Sequence, residues 1–262
     1  MPQQFTHDQF THDPLIIAHR GESHDAPENT LASVKLAWER GVTAVEVDVR
    51  ATADNHIAVI HDNNTFRTTG QKRIISYSIM ADLKRLDAGS WKGREWAGQK
   101  IPELSEVLAT VPATGKLLVE IKSGPRILDQ LHQVTEASGL LNNQIEIIAN
   151  DLDTLIEARR RMTQYRMLWV IETLPAWRRL LTGMRPKAVI VMLGNYGIDG
   201  ITIGDNKHLT RNFVHHLKAA GRPIYAWTVN DPVRAAKLLE FGIDGITTDR
   251  AAWMKQMLSK SR

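Results

Sequence analysis

Leu15-Ile16-Ile17-Ala18-His19-Arg20-Gly21 is the stretch on which the fold turns. The apolar run Leu15 to Ala18 reads as a buried strand. His19-Arg20-Gly21 follows it, at the position where a doubly wound open sheet usually carries a glycine-rich turn. Outward from there the chain alternates short strand patterns with helical ones. Thr30 to Arg40 reads as a helix closed by Gly41, and Ala44 to Arg50 as the next strand. Ile57 to Ile60 reads as a hairpin partner across Asp54-Asn55, residues that tolerate a tight turn. Further strands are expected at Lys116 to Ile121, Gln144 to Ala149, Arg166 to Ile171, Gly200 to Ile203, Pro223 to Thr228 and Gly245 to Thr247. Helices are expected near Arg126–Ala137, Leu152–Met162, Ala176–Met184, Arg211–Ala220 and Pro232–Phe241, with Gly221 and Gly242 at C-terminal caps. Ala188 to Leu193 fits either a short extra strand or the end of the preceding helix. With the hairpin strand set aside, eight strands remain in alternation with helical patterns, which predicts a closed (β/α)₈ TIM barrel of the α/β class.

The length, 262 residues with 43% hydrophobic and 24% charged, suits one barrel-sized domain over residues 14–262. Residues 1–13 are polar, repeat Phe-Thr-His-Asp, and are expected to form a flexible arm. Residues 62–100 break the alternation, are charge-rich and hold Trp91 and Trp96. They predict a small inserted subdomain after the second-strand hairpin, packed over one barrel end. Zero cysteines exclude disulfides, thiolate metal sites and cysteine nucleophiles. No apolar run reaches the roughly 20 residues of a membrane span, and no apolar secretory segment opens the chain. A cytoplasmic protein without stable membrane association is expected. The net charge of +4 is too mild to argue for nucleic acid, though it suits an anionic small molecule. The basic runs Arg159-Arg160-Arg161 and Arg178-Arg179 read as solvated helix faces.

Catalytic side chains of a barrel collect where strands end. Those positions hold His19-Arg20, Glu46 with Asp48 two residues on and therefore on the same face, His61-Asp62, Glu120 with Lys122, and Trp227. Taken singly, each has a plain structural reading: an acid in a salt bridge, a hydrogen-bonded core histidine, a cation paired with those acids, a tryptophan packed in the core. Together, three carboxylates without thiolates describe a hard-cation site suited to one Mg²⁺ or Ca²⁺, and the basic groups suit a phosphate beside it.

The same residues carry a family resemblance. His19-Arg20-Gly21, Pro27-Glu28-Asn29-Thr30, Glu46-Val47-Asp48-Val49, His61-Asp62 with Arg67-Thr68-Thr69, and Ile101-Pro102 occur in this order. Glu120-Ile121-Lys122, Trp227-Thr228-Val229-Asn230-Asp231-Pro232 and Gly242-Ile243-Asp244-Gly245-Ile246-Thr247-Thr248-Asp249 complete the set. From about Leu15 to Asp249 the chain resembles the glycerophosphodiester phosphodiesterase family.

The resemblance implies a barrel with an inserted subdomain, cleaving glycerophosphodiesters to glycerol 3-phosphate and an alcohol. It implies Glu46, Asp48 and Glu120 on one divalent cation, His19 and His61 as the acid–base pair, Arg20 and Lys122 on the phosphate, and Trp227 near the substrate. His61 is expected to be the acid and His19 the base. His24 and His56 lie off the matching positions. The Ser23-His24-Asp25 loop and the 62–100 segment depart from the family and are expected to shape the leaving-group pocket. A lysophospholipase D-type hydrolase on the same barrel, or a catalytically idle binding barrel, are the rival readings.

Overall fold

The computed structural model describes residues 14–172, 185–206 and 209–260. Nine strands are arranged about one axis: β1 (Leu15–His19), β2 (Ala44–Ala51), β3 (Ile57–Val59), β4 (Lys116–Ile121), β5 (Ile145–Ala149), β6 (Arg166–Ile171), β7 (Gly200–Gly204), β8 (Ile224–Trp227) and β9 (Gly245–Thr248). Neighbouring pairs run β1-β9-β8-β7-β6-β5-β4-β2, all parallel, and β1 pairs with β2 to close the ring. This is the eight-stranded TIM barrel the alternation predicts, with β3 added antiparallel to β2 outside the ring.

The strands are buried on both faces, which is why they read as near-continuous β-branched runs rather than alternating ones. Val45, Val47 and Val49 of β2 point outward into the large core shared with the helices. Ala44, Leu118, Ile148, Leu168, Val170 and Tyr225 fill the barrel interior with Ile17. Above that plug the inward positions change from aliphatic to ionised.

Local chemistry accounts for most helix ends. Thr30 caps the helix Leu31–Glu39 and forms a reciprocal capping box with Ser33. Asp151, Thr210 and Asp231 cap the helices that follow β5, β7 and β8. Ala188 to Leu193 lies inside a separate helix, Pro186–Tyr196, and is not a strand. Pro186 opens it at the one turn that needs no N–H, and Gly197, at φ +65°, ends it. The expected helix Ala176–Met184 lies outside the described residues, as do the arm 1–13 and Arg178-Arg179. A C-terminal helix, Ala251–Lys260, follows β9 and packs on β1.

Residues 62–100 hold short helical turns, Phe66–Thr69, Ile75–Tyr77, Met80–Leu83 and Arg94–Trp96, and no barrel strand. Ile75, Met80, Leu83, Leu86 and Ala88 form their own apolar cluster with Ala58, Ile60 and Ile101, distinct from the main core. Lys92 Nζ donates to the Ser23 carbonyl at 2.6 Å, tying this segment to the loop after β1. Arg160 and Arg161 pair with Glu157 and Asp129 on an exposed helix face, as expected, whereas Arg159 is not solvated but turns inward to Asp199 and the Tyr165 carbonyl.

Candidate active site

Barrel register brings the acids together. His19 stands opposite Glu46, and Asp48 opposite Glu120, across the β1–β2 and β2–β4 pairs. Carboxylate oxygens of Glu46, Asp48 and Glu120 lie within 4.8 Å of one another, and all three residues are buried. Glu46 Oε2 accepts from the Arg20 backbone N–H at 3.0 Å, while Glu46 Oε1 and Asp48 Oδ1 are buried without a hydrogen bond. Glu46 Oε1 has no partner among the described residues, Asp48 Oδ1 has only the Lys122 ammonium at 3.4 Å, and buried oxygens this poorly satisfied are costly unless a further cation meets them. The donor set, three carboxylates and no thiolate or imidazole, fits a hard divalent ion.

The turn after β1 is built for this contact. Arg20 holds φ +57° and Gly21 φ +81°, the left-handed region. A Cβ on Gly21 would lie 2.5 Å from Ser33, so only glycine lets the turn pack against the following helix. Folded this way, Arg20 presents its N–H to Glu46 and its guanidinium to two acids. Nη1 donates to Glu28 at 2.8 Å, and Nε lies 3.1 Å from Asp48 Oδ2 as an ion pair without hydrogen-bond alignment. Lys122 Nζ sits 2.6 Å from Glu120 Oε1 and 3.4 Å from Asp48 Oδ1. Arg20 and Lys122 therefore do pair with the acids, the plain reading of each, and both also line the cleft.

Burial and crowding set the charge states. Burial, reinforced by Asp48 nearby, pushes the Glu46 carboxyl up to about 8. Burial also raises Glu120 against the pull of Lys122. For Asp48 burial is outweighed by Arg20 and Lys122, which hold it below the usual carboxylate range. Without a cation the three acids cannot all stay ionised.

Each histidine has a carboxylate behind it. His19 Nδ1 lies 2.7 Å from Asp249 Oδ1, and Asn230 and Ser23 also donate to Asp249. His61 Nδ1 lies 2.8 Å from Asp62 Oδ1, and Arg67 grips Asp62 through Nε at 2.7 Å and Nη2 at 3.2 Å. Despite burial, the His19 hydrogen bond and its companions hold Asp249 at about 2; the Arg67 hydrogen bond does the same for Asp62. Both acids are thus acceptors, Nδ1 of each imidazole carries the proton, and Nε2 is the free nitrogen. For His19, burial opposes charging but the Asp249 bond and Glu46 prevail, and its pKa is raised. For His61 burial prevails over Asp48, and its pKa is lowered.

The cleft, about 410 Å³ of open space, is lined by His19, Arg20, Glu46, His61, Glu120 and Lys122 on one side. Trp227, Glu172, Val170 and Ile148 line it on the other. Of the singled-out residues only the fully buried Asp48 and Asp62, which stands behind His61, do not line this cleft. Neither the Ser23–Asp25 loop nor Trp91 and Trp96 line it, while Thr68 and Ala88 of the 62–100 segment line an adjoining pocket that shares His61. His24 pairs with Asp25 and His56 with Glu103, both away from the cleft.

Several residues that the reading by strand ends left without a role belong to the site. Asn29 donates to Asp48 Oδ2 at 2.8 Å and accepts the Asp48 backbone N–H at 3.1 Å, fixing that carboxylate from both sides. Glu28 bridges Arg20 and Arg67. Asp249 orients His19. The motif fragments contain all of them; their partners lie up to 230 positions away, as His19 and Asp249 show.

Fold and site together define a barrel hydrolase with a carboxylate centre. A family model, the glycerophosphoryl diester phosphodiesterase family, matches residues 19–252. The Bacillus subtilis protein YhdW is 33% identical over 234 residues, 89% of this chain and 93% of its own length. A glycerophosphodiester phosphodiesterase of Caldanaerobacter subterraneus subsp. tengcongensis is 29% identical over 241 residues, 90% of this chain and 93% of its own. The solved structure of an Oleispira antarctica phosphodiesterase with the product sn-glycerol-3-phosphate superposes with a TM-score of 0.83 at 29% identity. That match covers 94% of this chain and 97% of the other. The chain belongs to the glycerophosphoryl diester phosphodiesterase family and is a phosphodiester hydrolase. No described helix is long and apolar enough to cross a membrane.

Proposed function

We propose that the enzyme hydrolyses glycerophosphodiesters to glycerol 3-phosphate and an alcohol, with Glu46, Asp48 and Glu120 holding one divalent cation, Mg²⁺ or Ca²⁺. The observation that carries this is the trio of converging buried carboxylates with orphaned oxygens, flanked by two cations and two carboxylate-backed histidines. A bound cation would neutralise the acids and withdraw charge from the phosphoryl oxygens. Arg20 and Lys122 exchange part of their carboxylate contacts for the phosphate and stabilise charge as it develops. Trp227 supplies an apolar wall.

The histidines move the protons. Asp249 is backed by the neutral groups Asn230 and Ser23, so its negative charge is available to an imidazolium at His19. Asp62 has already given its charge to Arg67. This supports His19 as the donor to the departing alcohol and His61 as the acceptor from the attacking hydroxyl, the reverse of the expected order. That hydroxyl belongs to water or to the glycerol itself. The position of Trp91 and Trp96 outside the cleft favours small diesters over lysophospholipids.

The test is release of glycerol 3-phosphate from a panel of diesters with added Mg²⁺ or Ca²⁺, with and without EDTA. Activity that persists in EDTA, or products other than glycerol 3-phosphate and the alcohol, would overturn the reading.

A further inference from the structure

The wall facing the metal centre carries one charge that the chemistry above does not use. Glu172 follows β6, lines the cleft, and has no hydrogen bond or ion pair among the described residues. Register sets its company. Ile171 pairs with Ile203 and Gly204 with Trp227, so Glu172, Gly204 and Trp227 stand at one level on three consecutive strands. Alternation from Val170, Thr202 and Tyr225 turns all three inward. Gly204 is the bare middle position: a Cβ there would come 3.9 Å from Trp227 Cζ2, so the indole lies beside uncovered backbone. Trp227 Nε1 is buried without an acceptor. Ile148 and Val170 complete an apolar floor to this shelf.

An unpaired carboxylate at the mouth of a site for phosphodiester anions repels the very ligand the site must hold, unless that ligand also brings a cation. A carboxylate and an aromatic ring at one level, over an apolar floor, are the groups that recognise an ammonium ion. We propose that Glu172 and the Trp227 ring form the subsite for an ammonium head group, making zwitterionic glycerophosphodiesters the preferred substrates. The proposal rests on the diester reading above and adds the class of alcohol.

Glycerophosphocholine and glycerophosphoethanolamine are compared with glycerophosphoglycerol, whose head group is neutral, on the Mg²⁺- or Ca²⁺-loaded enzyme. The readout is the cationic-to-neutral ratio of kcat/KM, and of Kd by calorimetry. Glu172→Gln is expected to lower that ratio about tenfold, and Trp227→Leu more than Trp227→Phe, which keeps a π face. A ratio within about twofold of the wild type in Glu172→Gln, even with every substrate weakened alike, overturns the subsite and makes Glu172 a general contact. Kd is read on the His61→Ala chain, where turnover is suppressed; binding with the expected preference there, with no cleavage of any diester by the wild type, overturns the hydrolase reading while supporting the subsite.

Discussion

The barrel interior buries carboxylates at both ends, and the two ends treat them differently. At the floor, Glu146 of β5 is fully buried between Lys116 at the start of β4 and Arg166 at the start of β6, with Lys116 Nζ at 2.9 Å and Arg166 Nη1 at 3.3 Å. Tyr225 donates to the same oxygen at 3.3 Å, while Glu146 Oε2 is buried without a hydrogen bond among the described residues, so an orphaned oxygen alone does not set the two ends apart. One acid there meets two cations and a hydroxyl. At the mouth, Glu46, Asp48 and Glu120 share Arg20 and Lys122, and Arg20 is divided again with Glu28. The lesson lies in the ratio: where cations outnumber acids the cluster is a structural plug, and where acids outnumber cations it is a site waiting for a further positive charge.

Substitution at the mouth gives the largest effects. Glu46→Gln, which removes one anionic ligand in an isosteric way, should cost on the order of 10³-fold in kcat/KM, the equivalent of several kcal/mol of charge stabilisation. In cation-free buffer near neutral pH the same variant should melt no lower than the wild type, since Glu46 already holds its proton there and the amide replaces a neutral group. A fall in cation-free Tm would show that the mouth is as self-sufficient as the floor. His19→Ala and His61→Ala should each lose on the order of 10²–10⁴-fold. The loss for His19→Ala should shrink on a substrate with a good leaving group, and that for His61→Ala should not; the opposite pattern reverses the assigned roles.

Asp249→Asn should cost about 10- to 100-fold, matching a charge-assisted hydrogen bond of ~1.5–3 kcal/mol. It should also move the basic limb of the pH–rate profile to lower pH, because His19 loses the group that holds its proton. An unmoved limb would mean that Asp249 only packs.

The floor predicts the converse. Glu146→Gln should lower Tm by about 5–10 °C, corresponding to about 3 kcal/mol for breaking a buried pair in a domain of this size, and leave kcat unchanged below the transition. Loss of activity without loss of stability would dissolve the distinction between the two ends.

The smallest expected effect is a pH dependence. Glu46 sits at about 8 in the cation-free fold against 4.5 for the ordinary group. Between those values the folded chain keeps a proton that the unfolded chain has released, so this contribution to stability is fully present below the lower value and is lost as pH rises through the upper one. A cation must displace that proton, and its stabilisation at fixed concentration should therefore grow from pH 5.5 to pH 8.5. A Tm shift on adding cation that is flat across this range would contradict the titration.

The barrel and the three acids were legible because each is written at short range. Period-two spacing puts Glu46 and Asp48 on one face, and strand ends mark His19, His61, Glu120 and Trp227. Ala188 to Leu193 was ambiguous because Val189, Ile190 and Val191 suit a strand, and only Pro186 and Gly197 bound the helix. What the reading by strand ends could not supply was contact between distant segments. Asp249 reaches His19 only because β9 closes on β1, and Arg67 joins Glu28 to Asp62 across a loop. Glu172 is a single acid after an apolar strand, and its meaning depends on Gly204 and Trp227 beside it.

The central claim is that the mouth acids are ligands, and calorimetric titration of Mg²⁺ and Ca²⁺ into EDTA-treated protein tests it most directly. One cation should bind per chain, with binding lost in the Glu46→Gln, Asp48→Asn, Glu120→Gln triple variant. Equal binding by that variant, or full activity from wild-type protein that binds no cation, would contradict it.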